Sequence, residues 1–323
     1  MDARNGYRMG WILGLGILLS QAGVVSAQNA RTANFLVHAP TQQLADTVAQ
    51  AAERYRDELA EYWLGRRLPR WSSPCPIKVV AGQLAAQGVT RYDRFTGSNF
   101  QMEVIGTPER ILDSVLPHEV THTVLATHFR GPLPRWADEG ICTTVEHEAE
   151  RRKHEIKLLE FLRTRRGIAM NTMFLLKEYP ADMLPMYAQG YSVCRFLIEQ
   201  SGPRQFVKFI EGYMQQQSWT ENVRKHYGYE SLEQLQTSWL AWVESGSGPV
   251  DAFVSARSRA AASVAASSSG RPGEDSATRS KTEIAASGGW YQRRIQRPGK
   301  EKPYSVSQPQ PEVRYGEPAV IRR

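Results

Sequence analysis

The segment QMEVIGTPERILDSVLPHEVTHTVLATHF, residues 101–129, decides how this chain is built. Its opening residues, Gln101 to Ile105, read as a strand. From Pro108 onward the apolar residues fall at helical spacing, and everything after that point reads as helix. Pro117 is suited to a first helical position but would break a continuous helix, so the stretch 109–129 is expected to divide at Leu116. Before the segment, Asn34 to His38 (NFLVH) and Ile77 to Ala81 read as two further strands. Between them Thr41 caps a helix to about Leu64, with Leu44, Val48, Ala51, Tyr55, Leu59 and Tyr62 at helical spacing. Beyond the segment the expected helices are 136–165, 183–200, 203–217, 219–227 and 231–244, punctuated by Gly202-Pro203 and Tyr227-Gly228. The fold class is therefore α+β: a small N-terminal mixed sheet with a helix over 28–107, then a mostly helical region over 108–245.

Both ends differ in texture from this middle. Arg4 and Arg8, the apolar run Trp11 to Leu19 and the small residues Val25-Ser26-Ala27 read as a signal peptide over 1–27, with Gln28 as the new N-terminus. An uncleaved membrane anchor is the alternative, and on either reading the body of the chain is exported. From Gly246 the chain is rich in Ser, Ala, Gly, Pro and Arg, and 246–323 is expected to be a disordered tail. The 323 residues carry 40 Lys+Arg against 33 Asp+Glu, a net charge of +7. Thirteen of those basic residues and seven of the acidic ones lie from Gly246 onward, so the excess belongs to the tail. A basic balance confined to a tail argues against a nucleic-acid-binding fold. The tail could touch an anionic cell envelope through Arg293 to Lys302, although its composition is that of a solvated segment. Cys75, Cys142 and Cys194 allow one disulfide and a free thiol, or three buried thiols.

The chemistry is concentrated in Pro117-His118-Glu119-Val120-Thr121-His122. Histidines four apart on a helix are about 40° and one turn apart, so both imidazoles reach one metal ion from one face. Glu119, beside the first, can take a proton from a water on that metal. A catalytic zinc site wants a third protein ligand and keeps its fourth position for water. Two candidates compete for third place: Glu139, in PRWADEG (134–140), and His128. If the helix continues past Leu125, His128 lies roughly 15 Å along the axis from His118 and on another face, which favours Glu139. Asp138 is the expected hydrogen-bond partner of a ligating histidine. Cys142, three residues after Glu139, is a thiol close to the same site in sequence. Glu146, His147, Glu148, Glu150, His154 and Glu155, interleaved with Arg151, Arg152 and Lys153, read as a solvated helix face.

HEVTH (118–122), WADEGICTTVE (136–146) and MYAQGYSV (186–193), in that order, resemble the gluzincin metallopeptidases. The likeness is to the peptidase MA-like proteins and, more distantly, to the M1 aminopeptidases. It covers about residues 108–245. The resemblance implies a thermolysin-like zinc-binding subdomain holding one Zn2+ ion on His118, His122 and Glu139. It also implies that Tyr187 hydrogen-bonds the oxyanion of the reaction, with Tyr191, one turn on, as the substitute. The G-x-M-E-N segment with which M1 enzymes hold a free amino terminus has no counterpart before the helix, so aminopeptidase specificity is not implied. The expected function is an exported zinc peptidase acting on a peptide or protein substrate, with Glu119 as general base. The alternative is a non-catalytic cell-envelope binding or scaffold protein on the same fold.

Overall fold

The computed structural model describes residues 28–258. The expected signal peptide and the tail beyond Ser258 lie outside the described residues.

Five strands form one mixed sheet in the order β1-β2-β3-β5-β4: β1 (Gln28–Arg31), β2 (Phe35–Ala39), β3 (Cys75–Ala81), β4 (Gln87–Asp93) and β5 (Ser98–Gly106). The central pairs β2–β3 and β3–β5 are parallel, while β1 and β4 close the two edges antiparallel to their neighbours. The three expected strands are β2, β3 and β5. The two edges were not expected, because each buries only one residue, Ala30 in β1 and Thr90 in β4, and so shows no apolar alternation.

Helix α1 (Gln42–Leu64) links β2 to β3 and packs on the sheet through Val48, Ala52, Tyr55, Leu59 and Trp63. Thr41 caps it as expected, its hydroxyl accepting from the Leu44 N–H, and Gly65 closes it in the left-handed region at φ 71°.

The deciding segment departs from expectation at Pro117. A short helix α2 (Pro108–Arg110) runs through a wider π-helical turn, Ile111–Val115, into α3 (Leu116–Phe129) without leaving helical backbone angles. The Leu116 N–H reaches back five residues to the Ile111 carbonyl. A widened turn relieves the clash a proline ring makes with the preceding turn, so Leu116 is a change of pitch and not a break.

The expected helix 136–165 is two: α4 (Arg135–Thr143) and α5 (Glu148–Arg163), separated by a turn that holds Glu146. After them come α6 (Met170–Phe174), α7 (Leu184–Ser201), α8 (Pro203–Gln216), α9 (Trp219–Tyr227) and α10 (Leu232–Glu244). Helices α4 and α7 meet backbone to backbone: a Cβ on Gly140 would stand 2.5 Å from the Gly190 carbonyl oxygen, and one on Gly190 2.5 Å from that of Trp136. Trp136 anchors the start of α4 by stacking on Phe174, ring centroids 4.0 Å apart. Apolar residues of the sheet and of the helices form one continuous core.

Ordered structure also continues past the expected boundary at Ser245. Val250 is buried, the Ser255 hydroxyl donates to the Tyr227 carbonyl, and the Tyr229 hydroxyl donates to that of Phe253. All three cysteines are buried and free, which selects the second of the two expectations for them. No helix among the described residues is long and apolar enough to cross a membrane.

Candidate metal centre

His118 and His122 lie one turn apart on α3, ring centroids 5.1 Å from one another. Each ring is held from behind by a carboxylate. His118 Nδ1 is 2.6 Å from Glu146 Oε1, and His122 Nδ1 is 2.9 Å from Asp138 Oδ1. With both Nδ1 atoms engaged, the Nε2 atoms face α4. There Glu139 Oε2 stands 3.5 Å from His118 Nε2 and 3.8 Å from His122 Nε2. A tetrahedral ion with bonds of about 2.1 Å spaces its ligand atoms about 3.4 Å apart, close to the separations found here.

Charge is balanced tightly in this buried volume. Burial disfavours the charged form of both imidazoles, but hydrogen bonds that the His118 ring donates to Glu139 and Glu146 hold its pKa well above the ordinary value. Asp138 and Glu139 raise that of His122 in the same way. Burial would push the Glu139 carboxyl up, yet the two histidines and a hydrogen bond from Tyr179 hold it below its usual range. Such a donor set, two imidazoles backed and faced by carboxylates, suits a divalent cation.

The general-base candidate Glu119 is 4% exposed. Strand β4 crosses directly over it: the Thr90 hydroxyl donates to Glu119 Oε2 at 2.6 Å, and a Cβ on Gly88 would collide with the same carboxylate. Burial raises the Glu119 pKa against the opposing pull of His118, His122 and Thr90.

Two tyrosines approach from the other side. Tyr179, in the connection between α6 and α7, donates to Glu139 Oε1 at 2.5 Å. Tyr187, near the start of α7, lies almost parallel to Tyr179 at 6.3 Å and also reaches Glu139. Burial, with the charges of Glu139 and Glu119, raises the Tyr187 pKa well above its ordinary value, so the phenol keeps its proton. Tyr191 is directed elsewhere, its hydroxyl donating to Glu155 at 3.1 Å.

A second sulfur-containing set overlaps the first. One ligand atom from each of His118, His122 and Cys142 lies within 4.8 Å of the others, and this group could hold a metal ion. Cys142 is fully buried one turn beyond Glu139 on α4. Burial and the carboxylates of Asp138, Glu139, Glu119 and Glu146 push its thiol well up from the ordinary value.

No protein family and no curated protein matches this chain. The site therefore has to be read from its own residues.

His118, Glu119, His122, Asp138, Glu139 and Tyr187 converge, drawn from α3, α4 and α7. His128 does not join them: α3 continues through it, and its Nε2 is 2.6 Å from Glu211 Oε1. The histidine and acid cluster after α4 is not a solvated face. Glu146, Glu150 and His154 are buried, and Glu146 supports His118, because the turn between α4 and α5 folds inward over the site. Thr90, Tyr179 and the role of Glu146 were not foreseen. Thr90 sits on a strand with no apolar pattern, and Tyr179 lies in a loop, so neither position carries a local signal.

Proposed function

We propose that this chain is an exported zinc-dependent peptidase, with Zn2+ on His118, His122 and Glu139. The observation that carries this reading is the approach of His118 Nε2, His122 Nε2 and Glu139 Oε2 at tetrahedral spacing, with the buried Glu119 carboxylate fixed beside them by Thr90. Bound zinc supplies an acidified water and a Lewis acid for the peptide carbonyl. Glu119 accepts a proton from the water and later delivers it to the leaving amine, a task suited to a carboxyl whose pKa burial raises. The Tyr187 hydroxyl, protonated throughout, donates to the oxygen on which negative charge develops. Glu146 and Asp138 fix the tautomer and orientation of the two imidazoles. An extended peptide can pair with the free edge of β4, which runs over Glu119 and brings a backbone carbonyl to the site.

The test combines metal content with turnover on the full-length protein. The reading expects about one zinc per chain, lost in Glu139→Ala and kept in His128→Ala. It also expects Glu119→Gln to keep its zinc and lose peptide hydrolysis by a factor of about 10² to 10⁴ or more. Retained hydrolysis in Glu119→Gln would remove the mechanism.

A second reading has one observation of its own, the nearness of Cys142. If the thiolate joined His118, His122 and Glu139, the site would be closed and structural, as a binding or scaffold protein requires. Cobalt-substituted protein distinguishes the two. Thiolate-to-metal charge transfer in the near ultraviolet, abolished in Cys142→Ser, would establish the closed site; its absence leaves the open one.

A further inference from the structure

Arg135, the first residue of α4, is 6% exposed and yet makes no hydrogen bond or ion pair among the described residues. Its guanidinium carbon lies over the Tyr179 ring, 4.7 Å from the centroid. The charged and polar groups around it are Tyr179, Asp138, Tyr92 and Glu178. None of the acids takes it as a partner. Asp138 is committed to His122, and Glu178 is turned to solvent. Tyr92 lies on β4 two residues after Thr90, at the irregularity in its pairing with β5, and its phenol stands among Asp138, Arg135 and Glu139. Its hydroxyl, too, makes no hydrogen bond among the described residues. Neither group is among the fully buried polar atoms without a partner, so the unused donors of both keep a path to solvent and to a ligand. Here a guanidinium and a phenol with unused donors lie together, the first three residues before the histidine support Asp138 on α4 and the second on the strand that covers Glu119.

We infer that Arg135, with Tyr92, receives a carboxylate of the substrate. The contact with Tyr179 holds the guanidinium in place, and its N–H groups, which no described residue accepts from, are left for the paired hydrogen bonds that a carboxylate accepts. Because Tyr179 also holds Glu139, the bound carboxylate would sit next to the metal centre. This inference rests on the peptidase reading and narrows it to acidic substrates, the carboxylate being either a peptide C-terminus or an acidic side chain near the bond cut.

Two pairs of probes test it on the full-length Glu119→Gln protein: acetyl-Ala-Ala-Ala against its C-terminal amide, and acetyl-Ala-Glu-Ala-amide against acetyl-Ala-Gln-Ala-amide. Binding is followed by calorimetric or NMR titration. The expected result is that the acid member of one pair binds about 10- to 100-fold more tightly, and that the preference disappears in Arg135→Gln. The pair that discriminates names the source of the carboxylate. Should Arg135→Gln lose its fold, Arg135→Lys decides: it keeps the charge without the paired N–H edge, and must weaken the acid peptide while leaving the neutral one unchanged. Equal binding within both pairs, or a preference that survives the loss of Arg135, overturns the assignment. Hydrolysis of the same peptides by the wild type is read separately. A preference without hydrolysis upholds the Arg135 assignment and removes the peptidase reading, and hydrolysis without preference does the reverse.

Discussion

Glu146 shows how far a single side chain's meaning depends on the turn that carries it. In sequence it belongs to a run of mixed charges; in the fold it is 8% exposed and bonded to His118. Removing a carboxylate behind a metal-bound histidine typically weakens metal binding by about 10- to 100-fold. Glu146→Gln should show that loss in a zinc competition titration, while Glu148→Gln, two residues away and exposed, should not. The histidines themselves give the metal-free protein a pH signature. Their folded pKa values lie above the ordinary 6.5. The stability they contribute is therefore complete below pH 6.5 and is lost as pH rises through the raised values. Chelated protein should melt at falling temperature as pH is raised from 6.5 into the alkaline range. Zinc-loaded protein should resist this fall, because the ion replaces both protons. An unchanged melting temperature in the chelated protein would show that carboxylates do not hold these protons.

At the level of elements, the glycines of the two recognisable motifs are a packing device. Gly140 follows Glu139 and Gly190 follows Tyr187 by three residues, and the two let α4 and α7 touch along their backbones. Gly140→Ala forces the helices apart, at a cost of about 1–3 kcal/mol typical of overpacking, and draws Glu139 away from the histidines. Urea denaturation should record the first effect and reduced zinc affinity the second. The same closeness explains what could be read in advance. Helices α7 to α10 carry long apolar periods and clear stops, and Thr41 announces α1 through its own hydroxyl; these elements were legible. The metal-facing residues were legible for the same reason, since His118 and His122 share a helical face and Glu139 lies in a distinctive local motif. Strand β4 was not, because an edge strand packed over a polar carboxylate sets Gly88 against it and buries only Thr90, where a core strand would bury valines. The break between α4 and α5 was hidden for a related reason: charged residues buried against a metal site look like charged residues facing water.

The molecule as a whole has one core shared by sheet and helices, and its C-terminal margin lies beyond α10. Residues 246–258 return to cover the end of α9, burying Val250 and satisfying the Tyr227 carbonyl through Ser255 and Ser258. A chain ended at Ser245 forfeits one buried valine, worth about 1.5–3 kcal/mol. It also forfeits these hydrogen bonds, at about 1 kcal/mol each. It should unfold at markedly lower urea concentration than a chain ended at Ser258. Equal midpoints would show that the segment is a passive passenger. Composition could not reveal this margin, because its Gly, Ser and Pro residues resemble those of the tail that follows.

The π-helical turn at Ile111–Val115 has a consequence for how this gene can change length. Such a turn holds one residue more than the α-turn it replaces and absorbs it locally, so the helix on either side stays nearly in phase. Deleting one residue there would restore a regular helix and leave His118 and His122 facing nearly as they do, whereas a deletion in a regular α-helix rotates everything beyond it by about 100°. The turn is thus a reserve of one residue that the chain can give up with its metal-facing histidines still in place, a reserve that the stretch between His118 and His122 does not have.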